Sequence, residues 1–169
     1  MEEKQRIYAA VSPRAAKRIR CVQADISDRE GTGGAIAATG TYDPRRTTLV
    51  VFEGISYYLP PEVSSGVLSL FATEDRQNTV ILDSLLPCRF VKDDRRYISR
   101  GIWGIIHRDC KFQNTVTYSP DEMEAMLFSA GCGKVCHHAM DKMERLRTGK
   151  NRFFPTAEHG WIRISAARL

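Results

Sequence analysis

The sequence lacks any apolar run that approaches the roughly 20 residues of a membrane-spanning helix, so no membrane partner is expected. Residues 1–6 are charged rather than apolar, which argues against a secretory signal and predicts a cytoplasmic location. The sequence also lacks a disulfide framework, since its five cysteines show no typical spacing, and the thiols are expected to be reduced. The length of 169 residues predicts a single domain.

The sequence has no concentrated basic surface, although its formal net charge is +5. Short basic clusters such as Arg45-Arg46 and Arg95-Arg96 alternate with acidic residues along the chain. A solvated basic surface is therefore favoured over a nucleic-acid-binding surface, and no nucleic-acid partner is expected.

Three stretches suggest ligand sites that their spacing does not support. Residues 31–40 are rich in Gly and Ala, but no Lys-Ser or Lys-Thr follows, so a short helix or a loop is expected instead of a phosphate-binding loop. Residues 132–138 contain two Cys and two His, which are too few well-spaced ligands for zinc, and no metal is expected. His107 and Cys110 lack a third group to orient them as base and nucleophile.

Three predicted strands lead to a carboxylate. They are residues 19–25 ending at Asp25, residues 47–52 before Glu53-Gly54, and residues 78–83 ending at Asp83. A helix from Pro60 to about residue 73 separates the last two strands, since Pro is well tolerated in the first turn of a helix. A strand, a helix and a second strand in this order predict an α/β fold with a parallel sheet.

The other segments complete an alternation of helices and strands. Helices are predicted over residues 3–18 with a break near Pro13, over residues 90–107, from the capping box of Ser119 and Glu122 to Ala130, and over residues 140–147, with strands over residues 134–138 and 161–166.

Three short segments carry a resemblance to a known family. Residues 52–60 read Phe-Glu-Gly-Ile-Ser-Tyr-Tyr-Leu-Pro, and this segment resembles the Glu-Gly to Tyr-Leu-Pro motif of the leucine carboxyl methyltransferase-like O-methyltransferases. Residues 24–26, Ala-Asp-Ile, resemble the end of that family's third strand. Residues 129–132 resemble the Ala-Gly-Phe turn before its sixth strand, with Cys132 in place of the aromatic residue.

The resemblance implies a Rossmann-like class I methyltransferase sheet, for which the family's strand order is 3-2-1-4-5-7-6. Residues 1–169 would form part of this domain and would lack its first two strands and its glycine-rich first loop, as in an N-terminally truncated member of the family. The cofactor implied by the resemblance is S-adenosyl-L-methionine.

The resemblance also assigns cofactor-binding residues. Asp25 would accept a hydrogen bond from the adenine amino group, and Ile26 would lie against the adenine ring. An ordinary strand-end or helix-capping role for Asp25 is an equally good interpretation. Glu53 would face the ammonium group of the cofactor or the substrate, with a solvated strand end as the alternative, and Gly54 would let the backbone pass close to the ligand.

The substrate pocket is expected to contain three further residues. Tyr57 and Tyr58 would form its wall, Tyr58 as the catalytic candidate that bonds the acceptor group, and Asp83 would lie at its rim. Core packing with the hydroxyl reaching water is nearly as good an interpretation of Tyr58.

Without strands one and two, strand four would have an open edge at Leu49–Phe52. Either residues 19–24 pair with residues 48–53, or a second chain, identical or complementing, pairs there. The function expected is O-methylation of a carboxylate or hydroxyl of a small molecule or peptide. The alternative is a catalytically inactive remnant that acts as an interaction module.

Overall fold

The computed structural model describes residues 2–74, 77–109 and 115–169. The chain divides into two compact units, Met1–Arg46 and Thr47–Leu169, and each is described here by itself. The expectation of a single domain over the whole chain stays a prediction. No helix in the described ranges is long and apolar enough to cross a membrane.

The first unit contains three helices, α1 (Glu2–Val11), α2 (Pro13–Ala16) and α3 (Arg29–Ala38). Pro13 is the first residue of α2, as expected from the break predicted there, because a proline has no N–H to continue the preceding helix. The glycine-rich residues 31–40 lie mostly in α3, whose first turn is capped by the Asp28 carboxylate accepting from the Gly31 N–H at 2.9 Å.

The strand predicted over residues 19–25 is wrong. Residues 19–25 have no regular secondary structure, and residues 22–25 are exposed, so their alternating pattern faces no sheet. The carbonyl group of Asp25 instead accepts from the Asp28 N–H at 3.0 Å and from the Thr32 hydroxyl at 2.8 Å. The hydrogen bonds at the start of α3 thus occupy the Asp25 carbonyl group, which a strand would have needed for pairing with its neighbour.

The second unit contains a four-stranded sheet of β1 (Leu49–Phe52), β2 (Thr79–Leu85), β3 (Gly133–Ala139) and β4 (Ile162–Arg168). The strand order is β1-β2-β4-β3; β1 is parallel to β2, and β4 is antiparallel to both of its neighbours. This order matches the 4-5-7-6 part of the sheet that the family resemblance implied. The predicted α/β fold class is therefore confirmed.

Four helices connect these strands: α4 (Pro61–Leu68), α5 (Arg96–Asp109), α6 (Pro120–Ser129) and α7 (Met140–Thr148). Short 3-10 turns lie at Ser56–Tyr58, Ser69–Phe71, Cys88–Phe90, Asp93–Arg95 and Ala157–His159. The predicted capping box of α6 is confirmed, since the Ser119 and Glu122 side chains each accept from the other's backbone N–H. This bonding lowers the pKa of Glu122.

Three predicted boundaries shift. The helix expected up to residue 73 ends at Leu68 and tightens into the turn Ser69–Phe71, where the Ser69 hydroxyl donates to the Gly66 carbonyl at 2.7 Å. The helix expected from residue 90 begins at Arg96, after two 3-10 turns. The strand expected to end at Asp83 continues to Leu85, because β4 pairs with it over the full length.

The core of the second unit lies between the sheet and the helices α4 and α6, which pack against each other. Its buried side chains are mostly aliphatic and include Val67, Leu68, Val80, Leu82, Met123, Met126 and Leu127. Burial of such side chains contributes most of the stabilisation of a domain of this size.

Asn78 joins three separate segments of the second unit. Its side chain, only 1% exposed, accepts from the Thr48 N–H at 2.7 Å and donates to the Phe71 carbonyl at 2.7 Å. Its own carbonyl accepts from the Leu169 N–H at 2.9 Å. The residue before β2 therefore fixes the start of β1, the end of the α4 segment and the last residue of the chain.

Replacing Asn78 with Ala is expected to lower the free energy of unfolding by about 1–3 kcal/mol, because the Thr48 N–H and the Phe71 carbonyl would lose a buried partner. Gln77→Ala is the matched control, since its exposed amide accepts from the Thr47 hydroxyl and has no other hydrogen bond to the described residues, and about 0.5 kcal/mol or less is expected. Urea unfolding followed by circular dichroism measures both. Equal effects of the two substitutions would contradict the role given to Asn78.

Candidate functional site

The carboxyl ends of the parallel strands β1 and β2 form the candidate site of the second unit. Ligands collect at this edge in open α/β sheets. The pair Phe52 and Leu82 is the last register pair of the two strands. The chain continues from there into Glu53 and Gly54 on β1 and into Asp83 on β2, so the strand pairing brings together residues that are 29 positions apart.

Asp83 fixes the path of the chain after β1. Its carboxylate Oδ1 accepts from the Gly54 N–H at 2.8 Å, and its carbonyl oxygen accepts from the Ser56 hydroxyl at 2.5 Å. Ser56 is fully buried. Asp83 thus fixes the position of the Gly54 turn. The sequence did not indicate this role, because Asp83 was expected at the rim of a substrate pocket.

Gly54 has a φ of +74°, a conformation that side chains with a Cβ rarely adopt. A Cβ placed on Gly54 would lie 3.8 Å from the Tyr57 hydroxyl oxygen, so this hydroxyl lies beside the open face of the glycine. The structure therefore brings Gly54, Tyr57 and Asp83 into one cluster.

Tyr57 and Tyr58 lie on the 3-10 turn Ser56–Tyr58 and are both partly buried. Their ring centroids are 4.6 Å apart with an interplanar angle of 55°. The Tyr57 carbonyl accepts from the Val116 N–H at 3.0 Å, which ties the turn to the segment before α6. The two rings contact each other, and the Tyr57 hydroxyl lies beside Gly54; their role as the wall of a substrate pocket stays a prediction.

Glu53 follows β1 directly and is exposed. A buried carboxylate would need a charged or polar partner, but an exposed one such as Glu53 does not. The solvated strand end and the ligand-binding role thus both remain compatible with its position.

Asp25 and Ile26 belong to the first unit and are described separately from the residues around Gly54. The Asp25 carboxylate Oδ1 accepts from the Ser27 hydroxyl at 2.6 Å and from the Ser27 N–H at 3.0 Å. These two hydrogen bonds lower the pKa of Asp25, which is exposed. Both bonds use Oδ1 alone and form a local turn from Asp25 to Ser27, whereas the side chain that caps α3 is that of Asp28.

The two histidines of β3 contact different partners. His137 Nδ1 is 2.8 Å from the Ser165 hydroxyl, whereas His138 Nε2 is 3.5 Å from Cys136 Sγ. In the described ranges no group of three or more His, Cys, Asp or Glu side chains is arranged to hold a metal ion. Cys110 lies outside the described residues, so the pair of His107 and Cys110 is not tested.

Ser56 is a site residue that the sequence reasoning missed. Its buried hydroxyl carries one of the two bonds to Asp83, but a serine between an isoleucine and two tyrosines gives no sequence signal for burial. The sequence reasoning also missed a cavity that is lined by parts of residues 89–96 and 157–163. Its two walls are distant in sequence, so no local pattern indicates that they meet.

Comparison with known proteins supports the family resemblance for part of the chain. Residues 1–72 match the family model of leucine carboxyl methyltransferase, and this range includes Asp25 and the segment 52–60. The predicted resemblance to that family is therefore confirmed. No curated protein matches the sequence.

Two solved structures are similar in fold. One is a possible exported protein from Bordetella parapertussis, at 12% identity and a TM-score of 0.57, covering 99% of this chain and 49% of that one. The other is a DUF574 family protein from Streptomyces avermitilis, at 13% identity and a TM-score of 0.61, covering 87% of this chain and 53% of that one. The chain thus spans about half the length of each. At these identities the likeness shows the fold alone.

Gly54→Ala is expected to lower the free energy of unfolding by about 1–2 kcal/mol, because the left-handed backbone conformation disfavours a Cβ. Gly104→Ala is the control: Gly104 lies in α5 with open space around it, so the change is expected to raise stability by up to about 1 kcal/mol. Opposite signs in chemical unfolding are the expected result. A loss of stability in both variants would show that the site backbone is not special.

Proposed function

We propose that this protein is an S-adenosylmethionine-dependent O-methyltransferase that acts on a carboxylate or hydroxyl group of a small molecule or peptide. The family match over residues 1–72 supports this proposal, because it includes the segment that carries Glu53 to Tyr58. The observation that carries it is the hydrogen bond from the Gly54 N–H to Asp83. This bond fixes a glycine turn at the carboxyl edge of two parallel strands, where ligands bind in open α/β sheets.

The residues present fit the cofactor at this edge. S-adenosylmethionine, when bound, supplies a methyl group on a sulfonium sulfur. Gly54 presents backbone without a side chain, so a ligand can approach closely, and the exposed Glu53 carboxylate is available to a cationic group. The residues that the family resemblance assigns to the adenine, Asp25 and Ile26, belong to the first unit, and their binding role stays a prediction.

Methyl transfer needs little acid or base chemistry from the protein, since correct placement of the acceptor oxygen supplies much of the rate. The surface formed by Tyr57 and Tyr58 is proposed to orient the acceptor, with the Tyr58 hydroxyl as hydrogen-bond donor to the reacting group. Both side chains are partly buried, which restricts their rotamers and favours a fixed pocket wall.

The edge of the sheet at β1 favours a second candidate function. Leu49 and Val51 are each 59% exposed and lie on the same side of β1, which is the outer strand of the described sheet. Residues 19–24 form no strand that would cover this edge. We propose that β1 pairs with β1 of a second copy, since identical edges pair around a twofold axis. An inactive interaction module would act through this edge alone.

A cytoplasmic location stays a prediction from the sequence.

Titration with S-adenosylhomocysteine tests the proposed activity and separates it from the interaction module. We expect saturable binding by calorimetry, and Glu53→Gln is expected to weaken it about tenfold through loss of a charged partner. Glu62→Gln is the control, because this exposed carboxylate in the first turn of α4 has the same charge and no predicted role. Absence of saturable binding to the unmodified protein would leave the interaction module as the function.

Val51→Lys tests the proposed pairing of β1 with β1. Because a charged side chain at an exposed edge opposes strand pairing, the dissociation constant of the dimer is expected to rise at least about tenfold. Leu146→Lys, on the 75% exposed side chain of α7, is expected to leave the dimer unchanged. Light scattering after size exclusion measures both. A monomeric unmodified protein whose Leu49–Phe52 amides exchange rapidly would refute the pairing.

A further inference from the structure

A cavity of about 630 Å³ lies beside the carboxyl end of β2, within the second unit. One wall is formed by residues 89–96, which follow β2, and the other by the segment around Ala157 and Glu158 together with Arg163 at the start of β4. Arg163 pairs with Ser84 in the sheet, one residue after Asp83. The lining includes none of Glu53, Gly54, Tyr57 or Asp83, so this cavity is distinct from the cluster at Gly54.

Arg96 stabilises the first wall. Its Nε donates to the carbonyl oxygens of Cys88 and Val91, each at 2.9 Å, and its Nη1 is 2.7 Å from Asp93 Oδ1. Val91 is almost fully buried. The charges of Arg96 and Asp93 offset each other, and the segment between them has a defined shape before any ligand arrives.

Backbone hydrogen bonds and side chains join the two walls. The Lys92 N–H donates to the Glu158 carbonyl at 2.8 Å, and Arg95 Nη2 donates to the Phe153 carbonyl at 3.2 Å. These bonds cross a sequence separation of more than fifty residues and hold the cavity open at a fixed width.

The Lys92 ammonium group lies beside a nitrogen of the His159 ring. Its Nζ is 3.4 Å from Nε2 of His159, which is 8% exposed, and His159 Nδ1 is 2.8 Å from the Thr156 hydroxyl. Since an ammonium group only donates, Nε2 accepts from it and Nδ1 carries the proton that bonds Thr156. The lysine is therefore positioned without its charge being neutralised there.

Arg163 and Arg89 supply two more positive charges. The Nε of Arg163 is buried and has no hydrogen-bond partner among residues 2–74, 77–109 and 115–169. The Arg89 guanidinium lies 5.0 Å from the centre of the Phe90 ring. A buried guanidinium nitrogen without a partner is unfavourable, and because Arg163 also lines the cavity, an oxyanion bound there can accept from its guanidinium group.

The lining has one more basic than acidic residue, and Arg89 also lies close enough to the Glu122 carboxylate to lower its pKa, which leaves Arg163 and Lys92 as the principal charges offered to an anion. Apart from Asp93, the carboxylates are Asp94 and Glu158, and in the described ranges neither lies within 4.0 Å of a nitrogen of Arg89, Lys92 or Arg163. We propose that this cavity is an oxyanion-binding site, taking a carboxylate or a phosphate group, in which Arg163 and Lys92 donate the principal hydrogen bonds. The site does not depend on methyl transfer.

Titration of the full chain with inorganic phosphate and, separately, with acetate tests the site. Sodium chloride keeps the ionic strength constant, and nuclear magnetic resonance follows the amide shifts of residues 89–96 and 157–163. We expect saturable shifts with at least one of the two anions. Saturation with phosphate alone identifies a phosphate site, and saturation with acetate as well identifies a general carboxylate site.

Arg163→Gln and Lys92→Gln are each expected to weaken this binding about tenfold, through loss of a charged donor. Arg147→Gln is the control, because it removes the same charge from an exposed position at the end of α7 and is expected to change the affinity less than twofold. If Arg163→Gln does not fold, the exposed Lys92 decides the test. Shifts that chloride reproduces, or equal affinities of both Gln variants and the unmodified protein, would overturn the proposal.

Discussion

The attachment of β1 to β2 is the constraint on which the second unit and its site depend. β1 has four residues and one neighbouring strand in the described sheet, so its own ladder of hydrogen bonds is short. Side chains of β2 and of the residue before it reinforce both ends, since Asn78 accepts from the Thr48 N–H and Asp83 accepts from the Gly54 N–H. The Asn78 and Asp83 side chains thereby keep a short parallel strand in register. They also fix the position of the glycine turn that follows the strand.

Much of the second unit could be predicted from sequence because its signals are local. The capping box at Ser119 and the aliphatic runs of β1 and β2 each specify their own element, and the helix between the two strands implies parallel pairing. Residues 19–25 show where this reasoning fails. Their alternation resembles a strand, but alternation stabilises a strand only when a neighbouring strand is present, and here the Asp25 carbonyl is used by the entry into α3.

Gly54, Tyr57 and Asp83, predicted as site residues, lie close together, but their roles at a site stay predictions and the bonds between them were not foreseen. Gly54 and Tyr57 do lie together, because they are three residues apart on one turn. The bonds of Asp83 to Gly54 and Ser56 depend on strand register, which no local pattern encodes. The same holds for the oxyanion cavity: Lys92 and Arg163 lie in segments 71 residues apart and meet only because β4 returns antiparallel to β2.

The shortness of β1 also has a dynamic consequence. An outer strand of four residues is a low-stability element of a sheet, and such elements open more often than the whole protein unfolds. Gly54 and Tyr57 follow β1 without a break, so each opening of the strand also dissolves the site. A ligand bound at this turn therefore slows hydrogen exchange of the β1 amides. When the ligand is in excess, the factor is the ratio of its concentration to its dissociation constant, so exchange at β1 reports how fully the site is occupied.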